Sequence, residues 1–168
     1  MTGCSSGIGE ALAKFLAQKG WTVFAGVRKE ADSEKLRAID INIKPVILDV
    51  MKEEQIRSAI EEVRVAVGED GLDALVNNAG LNVVGPLEFA GMDEIKLQYE
   101  VNLFGVIRMI QAAMPLIRTG TPGRIVNIGS SGSEFKMAYS GAYNSTKSAV
   151  IAVTESLRRE VARFGERP

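Results

Sequence analysis

The chain has 168 residues, a length that suits one globular domain with a buried core. Apolar residues make up 46% of it, charged residues make up 24%, and the formal net charge is −1. This composition provides no basic surface for nucleic acid, and no uninterrupted apolar run reaches the roughly 18 residues that span a bilayer. We therefore expect a cytoplasmic protein with no nucleic-acid partner and no membrane span.

Histidine is absent, and the only cysteine is Cys4. The chain therefore lacks the commonest general base and metal ligand, and it cannot form an internal disulfide. We expect no metal site, and we expect any acid–base chemistry to use Tyr, Lys, Ser or a carboxylate. Cys4 is assigned to packing, as are six larger apolar side chains: Phe15, Trp21, Phe24, Phe104, Met109 and Met114.

Short apolar runs alternate along the chain with longer helical patterns, which is typical of βαβ units and a parallel sheet. No repeat, low-complexity tract or linker divides the sequence, so we expect a single α/β domain over residues 1–168, built on a doubly wound parallel sheet. In chain order, the pattern predicts a helix over 7–19, a strand over 21–27, a helix over 30–38, a strand over 45–50, a helix over 52–67, a strand over 72–76, a helix over 92–117, a strand over 124–128 and a helix over 140–164.

A glycine-rich segment over residues 2–9, TGCSSGIG, leads directly into the first predicted helix. Glycines let the backbone turn tightly and approach a pyrophosphate, whose charge then lies at a helix N-terminus. Loops of small residues before helices are common, so an ordinary helix start is the alternative interpretation.

Tyr143 and Lys147 form a second pattern, because a spacing of four places both side chains on one face of a helix. An unperturbed phenol titrates at about pH 10, and a neighbouring ammonium favours its ionised form. Ser130 follows the strand predicted over 124–128, at the sheet edge where α/β proteins present ligand groups. The alternative is a chance pair on a solvated helix.

Taken together, these features resemble the short-chain dehydrogenase/reductase family. The glycine segment, the run Asn77-Asn78-Ala79-Gly80, Asn102, Ser130 and the Tyr143–Lys147 pair occur in the order and spacing of that family, over essentially the whole chain. The resemblance implies a Rossmann-like fold and hydride transfer between a nicotinamide cofactor and a secondary alcohol or carbonyl compound. The stretches FAGVRK and SLRREVARFG are most similar to members that act on hydroxysteroids, retinol or similar apolar alcohols.

The resemblance also implies roles for individual residues. Tyr143 would be the general acid and base, Lys147 would bind the nicotinamide ribose and lower the pKa of Tyr143, and Ser130 would hold the substrate oxygen. Asn102 would hold a water of the proton relay in a locally distorted helix; its alternative is a helix residue that faces solvent. The expected cofactor-binding residues are Gly3, Ser5, Ser6, Gly7, Ile8, Gly9, Arg28, Asp49, Val50, Asn78, Ala79, Gly80, Tyr143 and Lys147.

Two of these positions have further interpretations. NAD enzymes place an acid at the end of the second strand to bind the ribose hydroxyls, whereas this chain has Arg28, which can pair with a 2′-phosphate. We therefore predict NADP(H) rather than NAD(H), unless Arg28 and Lys29 are ordinary solvated charges. Asp49 is expected to contact the adenine amino group, with Val50 beside it, or to cap the following helix.

The chain differs from members of this family in its length. Members usually have about 250 residues, begin with a strand before the glycine loop, and continue into further strands and a substrate lid. We expect the first strand and the C-terminal strands to be missing, so that strands 21–27 and 72–76 lose a shared neighbour. The chain alone would then be marginally stable, with little or no activity.

Two other classes of function remain open. The chain could be a nucleotide-binding module without turnover. It could also be an assembly element, because helices 92–117 and 140–164 commonly pack against a partner in this family; the complete protein is expected to be a homodimer or homotetramer.

Overall fold

Strands and helices alternate in the predicted order in the structure, a computed structural model that describes residues 1–119 and 123–162. The last two residues of the helix predicted over 140–164 therefore lie outside the described residues. The strands are β1 Val23–Val27, β2 Ile43–Ile47, β3 Ala74–Asn77 and β4 Arg124–Asn127. The helices are α1 Gly7–Gln18, α2 Glu30–Arg37, α3 Glu53–Val67, α4 Met92–Tyr99, α5 Gly105–Ile117 and α6 Gly141–Val161.

The second strand lies earlier in the chain than its sequence pattern predicts. β2 pairs with β1 from Ile43 to Ile47, whereas the prediction was 45–50. Beyond the strand, the backbone N–H of Asp49 donates to Oε1 of Gln55 at 2.8 Å instead of to a neighbouring strand. The N–H of Leu48 still donates to the Val27 carbonyl of β1 at 2.8 Å. Leu48 and Val50 are both buried, so the apolar run continues past Ile47 because it belongs to the core.

Parallel pairing joins β1 to β2 and β3 to β4. The N-terminal residues lie between the two pairs and bind both. The Met1 amine donates to the carbonyl of Phe24 at 2.8 Å, and the Met1 carbonyl accepts from Gly26 N–H at 2.8 Å. On the other side, Thr2 N–H donates to the carbonyl of Val76 at 3.0 Å. As expected, no strand of the described residues pairs with both β1 and β3, although the backbone of Met1 and Thr2 bonds to both.

The core consists of two apolar clusters, which is what helices on two faces of a sheet produce. One cluster joins α1 and α2 to β1 and the first residue of β2 through Cys4, Ala13, Leu36 and Ile43. The other joins α3, α5 and α6 to β3, β4 and the rest of β2 through side chains that include Val46, Ile56, Leu75, Ile110 and Val150.

Three aromatic residues that we assigned to the core are largely exposed. Phe15 is 54% exposed, Trp21 is 48% exposed and Phe104 is 43% exposed. For Phe15 the reason is helical spacing, because the buried positions of α1 are Gly9, Ala13 and Ala17, on a different face. The assignment holds for Met109 and Cys4, which are buried. Phe24 and Met114 are partly buried and pack against the larger cluster, which contains Val46 and Leu75.

The helical run Met92–Ile117 is continuous, but its hydrogen-bonding pattern changes within it. A π-helical turn over Glu100–Phe104 separates α4 from α5. By length and composition the run could cross a membrane, with a mean hydropathy of 1.3 in its apolar window, of which 44% is buried inside the protein. A buried core helix meets the same criterion, so the absence of a membrane span stays a prediction.

Candidate functional site

The glycine segment requires glycine at two positions because other backbone lies against it. Gly3 has φ +68°, and a Cβ placed there would lie 2.8 Å from Cα of Ala79. A Cβ on Gly9 would lie 2.2 Å from the Gly3 carbonyl oxygen and 2.5 Å from Nδ2 of Asn78. The loop, the first turn of α1 and the turn after β3 therefore touch one another through backbone.

Thr2 joins the glycine loop to the turn after β3. Its side chain is buried, and its Oγ1 accepts from the N–H groups of Asn78 at 3.0 Å and Ala79 at 2.9 Å. In return, Nδ2 of Asn78 donates to the carbonyls of Thr2 at 3.1 Å and Gly3 at 2.9 Å. The sequence analysis missed Thr2. A hydroxyl residue directly before the first glycine was the available signal.

The start of α1 is open to solvent. Ser6 precedes the helix and is exposed, Ile8 is 66% exposed, and nothing lies within 4 Å of a Cβ placed on Gly7. The first N–H groups of a helix lack partners within the helix and attract anions. Glu10 is the acid in this first turn, and Lys14 and Lys35 bind its carboxylate at 2.6 and 2.9 Å and lower its pKa. An anionic group can therefore approach this end of the helix.

Tyr143 and Lys147 lie on the same side of α6. Nζ of Lys147 is 6.0 Å from the centre of the Tyr143 ring. The same nitrogen donates to the carbonyl of Ile128 at 2.7 Å, two residues before Ser130. Lys147 is 5% exposed, and burial lowers the pKa of its ammonium. The helix that carries the phenol is thereby tied to the strand end that leads to Ser130.

Ser130 is half-buried just beyond β4 and begins a tight turn. Its Oγ accepts from Gly132 N–H at 3.1 Å, and its carbonyl accepts from the Ser133 hydroxyl at 2.5 Å. As an acceptor in this turn, the Ser130 hydroxyl keeps its own proton available for another oxygen.

Asn102 lies inside the π-helical turn and is fully buried. Its Nδ2 donates to the Leu81 carbonyl at 2.8 Å and to Oγ1 of Thr146 at 3.1 Å, and its Oδ1 accepts from Leu81 N–H at 2.8 Å. The solvent-facing alternative for Asn102 is wrong, and the expected local distortion of the helix is present. A Cβ on Gly80 would lie 3.3 Å from Oδ1 of Asn102 and 3.8 Å from Nζ of Lys147, so these three residues meet.

The remaining predicted cofactor residues follow the carboxyl ends of β1 and β2. Arg28 is exposed, one residue after β1. Oδ1 of Asp49 accepts from Met51 N–H at 3.0 Å in a turn ahead of α3. The N-cap of α3 is Lys52, so the alternative that Asp49 caps this helix is wrong. Val50 is buried, and its Cγ2 would lie 2.7 Å from a Cβ on Gly105.

A second group of polar residues links β3, β4 and α6, and of these the sequence analysis named only Asn77. Nδ2 of Asn77 donates to Oδ1 of Asn127 at 2.8 Å, and Nδ2 of Asn127 donates to Oγ1 of Thr154 at 2.9 Å. Both asparagines end a strand, and β3 and β4 pair in register at these two positions. The side-chain bonds therefore hold together the two strand ends that precede the Asn78 turn and Ser130.

The site thus combines an open helix N-terminus with a phenol, a buried ammonium and a hydroxyl at one edge of a parallel sheet. Comparison with known proteins identifies the class to which it belongs. Residues 1–165 match the family described as short chain dehydrogenase, and the chain belongs to that family.

Individual relatives agree in sequence and in structure. Retinol dehydrogenase 7 of Rattus norvegicus is 40% identical over 167 residues, which are 98% of this chain and 52% of that protein. A short-chain dehydrogenase of Streptomyces avermitilis has a TM-score of 0.92 and 35% identity, covering 99% of this chain and 61% of that chain. Gluconate 5-dehydrogenase of Burkholderia cenocepacia, solved with NADP and tartrate, has a TM-score of 0.86 and 32% identity, covering 97% of this chain and 65% of that chain.

These likenesses confirm the predicted family and the Rossmann-like α/β fold. The chain spans about half the length of the curated relatives it matches.

Proposed function

We propose that this chain carries the cofactor-binding and catalytic part of an NADP(H)-dependent oxidoreductase, which moves a hydride between the cofactor and a secondary alcohol or a carbonyl compound. The observation that carries the proposal is the placement of Lys147. Its Nζ lies beside the Tyr143 ring, binds the Ile128 carbonyl ahead of Ser130, and approaches Gly80 and Asn102.

The residues at the start of α1 fit a dinucleotide. The backbone is compact where Gly3 and Gly9 meet Ala79 and Asn78, and it is open where Gly7 faces solvent. Those features suit a pyrophosphate, which needs close approach to backbone N–H groups and no side chain in the way. Ser5, Ser6, Gly7 and Ile8 would hold the phosphates, while Asn78, Ala79, Asp49 and Val50 would line the adenosine side.

A nicotinamide dinucleotide supplies or accepts the hydride when it is bound. The chain's own groups manage the proton and the substrate oxygen. In reduction, the Tyr143 hydroxyl would donate its proton to that oxygen and become a phenolate, and in oxidation the phenolate would take the proton from the alcohol. Ser130 would donate a hydrogen bond to the same oxygen and stabilise its charge.

Lys147 and Asn102 would support these two groups in the proposed reaction. The ammonium of Lys147 is held by the Ile128 carbonyl, so its position relative to the Tyr143 ring is fixed by β4. Asn102 holds the backbone of Leu81 on one side and Thr146 on the other, and the hydroxyl of Thr146 donates to the Tyr143 carbonyl at 2.7 Å. Asn102 therefore connects the turn after Gly80 to the helical turn that carries Tyr143.

Apolar side chains around the site favour an apolar substrate. Five of them from the segments that flank Tyr143 are more than half exposed: Val84, Leu87, Phe135, Met137 and Tyr139. An apolar alcohol would cover such surface, which is otherwise costly to leave in water. The relative from Rattus norvegicus is a retinol dehydrogenase, which agrees with this substrate class.

Arg28 supports the preference for NADP(H). It is exposed one residue after β1, at the sheet edge shared with the glycine loop, and its guanidinium can pair with a 2′-phosphate. Because Arg28 is the cation closest in sequence to this strand end, its charge would distinguish the phosphate from a free hydroxyl.

Titration of the chain with each dinucleotide tests the proposal. Arg28→Asp should weaken NADP⁺ binding by about ten-fold or more, because charged hydrogen bonds contribute about 1.5–3 kcal/mol, and should weaken NAD⁺ binding far less. Arg57→Asp, an equal charge reversal at an exposed position of α3, is the control and should change neither affinity. Equal losses of NAD⁺ and NADP⁺ affinity in Arg28→Asp would overturn the NADP(H) preference, and binding of neither dinucleotide by the parent chain would overturn the cofactor site.

A further inference from the structure

A slot runs between β1 and β3, along residues 21–24 on one side and 72–75 on the other. The start of the chain fills one end of it. Met1 bonds to Phe24 and Gly26 of β1, and Thr2 bonds to Val76 of β3. Because two consecutive residues reach both strands, the slot is one strand wide. Among the described residues no strand pairs with both β1 and β3, so the rest of the slot is open.

Backbone groups of both strands face this slot. Along a strand, successive residues direct their N–H and C=O groups to opposite neighbours. The N–H of Val23 bonds to the β2 side, so the N–H of Phe24 faces the slot, as its carbonyl does. The carbonyl of Asp73 accepts from β4, so the N–H groups of Ala74 and Val76 face the slot from the other side. An extended segment placed between the strands would pair with these groups.

The open part of the slot is a cavity of about 100 Å³, which widens into a second cavity of about 710 Å³ at the amino ends of the two strands. Thr22 and Leu72 line both cavities, so the passage continues along β1 and β3. Its walls are apolar on both faces of the sheet, with Leu16 of α1 on one face and Ala59 and Met109 on the other. A strand in the slot would be buried on both faces, so apolar side chains suit every position of it.

The length of the slot corresponds to four residues. Met1 lies opposite Ala25, because it bonds to the residues on either side of Ala25. The four preceding residues on this side, Trp21 to Phe24, all line the cavity. At about 3.3 Å per residue, four residues of parallel strand span about 13 Å.

The amine of Met1 closes the inner end of the slot and determines the direction of an occupant. It donates to the Phe24 carbonyl at 2.8 Å, and burial lowers its pKa because the charged form is poorly solvated. A peptide parallel to β1 and β3 presents its C-terminal carboxylate to this amine, and the negative charge stabilises the ammonium form. A peptide in the opposite direction would bring its own ammonium there and be repelled.

We propose that the slot is a binding site for an extended apolar peptide, which adds a parallel strand of four residues between β1 and β3 and places its C-terminal carboxylate beside the Met1 amine. The site is separate from the residues assigned to the dinucleotide and to catalysis. Binding here requires neither cofactor nor turnover, so the inference does not depend on the proposed function.

The peptide Lys-Lys-Val-Ile-Val-Leu with a free C-terminal carboxylate is a suitable probe. Its four apolar residues match the length of the slot, and its two lysines keep it soluble. Two control peptides have the same sequence. One carries a methyl group on the backbone nitrogen of the isoleucine, which removes one ladder donor, and the other ends in an amide and lacks the negative charge.

The experiment measures amide hydrogen exchange by NMR in the nitrogen-15-labelled chain, with and without peptide and without cofactor. An excess of the probe should slow exchange of the Phe24 and Ala74 N–H groups by about ten-fold or more, because both enter a ladder. Ile47 and Ile125 are internal controls. Their neighbours Leu48 and Arg124 bond inward to β1 and to the residue before β3, so the N–H groups of Ile47 and Ile125 lie on the outer edges and should not change.

The two control peptides test the ladder and the direction separately. The N-methylated peptide should bind about ten-fold or more weakly, because it loses a hydrogen bond and places a methyl group against the neighbouring strand. The amide should bind about ten-fold more weakly, because a charged hydrogen bond becomes a neutral one.

Several outcomes would overturn the inference. These are unchanged exchange at Phe24 and Ala74, slowing at Ile47 or Ile125 instead, or an N-methylated peptide that binds as tightly as the probe, which would indicate apolar adhesion without a ladder. Equal affinity of the acid and the amide would overturn the assigned direction and the contact with Met1. Failure of NADP⁺ to bind, with the protection of Phe24 and Ala74 retained, would contradict the proposed function alone.

Discussion

Replacing Thr2 by valine tests how strongly one hydroxyl holds the glycine loop in place. Valine has nearly the same shape and branching as threonine, so the substitution removes the Oγ1 acceptor and leaves no cavity. The N–H groups of Asn78 and Ala79, now bonded at 3.0 and 2.9 Å, lose their partner. Both groups are partly buried, and water cannot fully replace the hydroxyl at Thr2, which is 2% exposed.

The expected loss follows from these two groups. An unsatisfied buried donor costs about 1–3 kcal/mol, and the lower end applies because both donors are partly buried, so Thr2→Val should lower the free energy of unfolding by about 2 kcal/mol. Against a typical total of about 5–15 kcal/mol, that loss is large. It corresponds to a urea midpoint lower by about 1 M for an m-value of about 2 kcal/mol/M.

Urea denaturation followed by circular dichroism measures this difference. Thr2→Ser is the matched control, because it keeps the hydroxyl oxygen and should retain most of the stability. NADP⁺ affinity should fall in Thr2→Val and stay near the parent value in Thr2→Ser, since the same bonds place the glycine loop against the Asn78 turn. Equal urea midpoints for the two variants would refute the structural role assigned to Thr2.

Two further predictions concern the glycine loop and the buried lysine. Gly9→Ala should abolish NADP⁺ binding and lower the melting temperature strongly, because the new Cβ would meet the Gly3 backbone and the Asn78 amide. Gly7→Ala should lower the free energy of unfolding by only about 1 kcal/mol, because its φ is +58° and nothing lies near the new Cβ. Similar losses of stability in the two variants would contradict this. Burial lowers the pKa of Lys147 below its unfolded value, so the unfolded chain binds the proton more tightly between the two values and the parent gains stability as pH rises through that interval. Lys147→Met should lack this gain in stability. Urea midpoints that change with pH identically in parent and variant would contradict the contribution assigned to Lys147.

The sequence predicted the fold well where periodicity and burial coincide. The helix over Glu53–Val67 has its buried residues Ile56, Ala59 and Val63 on one face, and its predicted start differs by one residue. Prediction failed for Phe15 because large apolar residues were assigned to the core by type alone, whereas the buried face of α1 is made of small residues that let the helix lie close to β1. Strand β2 was displaced in the prediction because Leu48 and Val50 are buried in the core although they lie beyond Ile47, the last residue in register with β1.

Some residues of the candidate site could likewise be predicted from the sequence, and others could not. Tyr143 and Lys147 could be placed together from their spacing, since a helical turn fixes which side chains are neighbours. Thr2 and Asn127 could not be found in this way, because their partners are 76 and 27 residues away in the chain. Such contacts depend on strand order and register, which local patterns do not determine.

In the proposed reaction, Tyr143 donates a proton while hydride moves from NADPH to an apolar carbonyl compound. This is tested by incubating the chain with acetophenone and with NADPH deuterated at C4 of the nicotinamide. The alcohol is then detected by mass spectrometry. This detection also registers slow turnover. Deuterium should appear in the alcohol with the parent chain and be lost in Tyr143→Phe, which keeps the ring and removes the hydroxyl. An unlabelled alcohol, or equal labelling by the parent and by Tyr143→Phe, would contradict the proposed role of Tyr143.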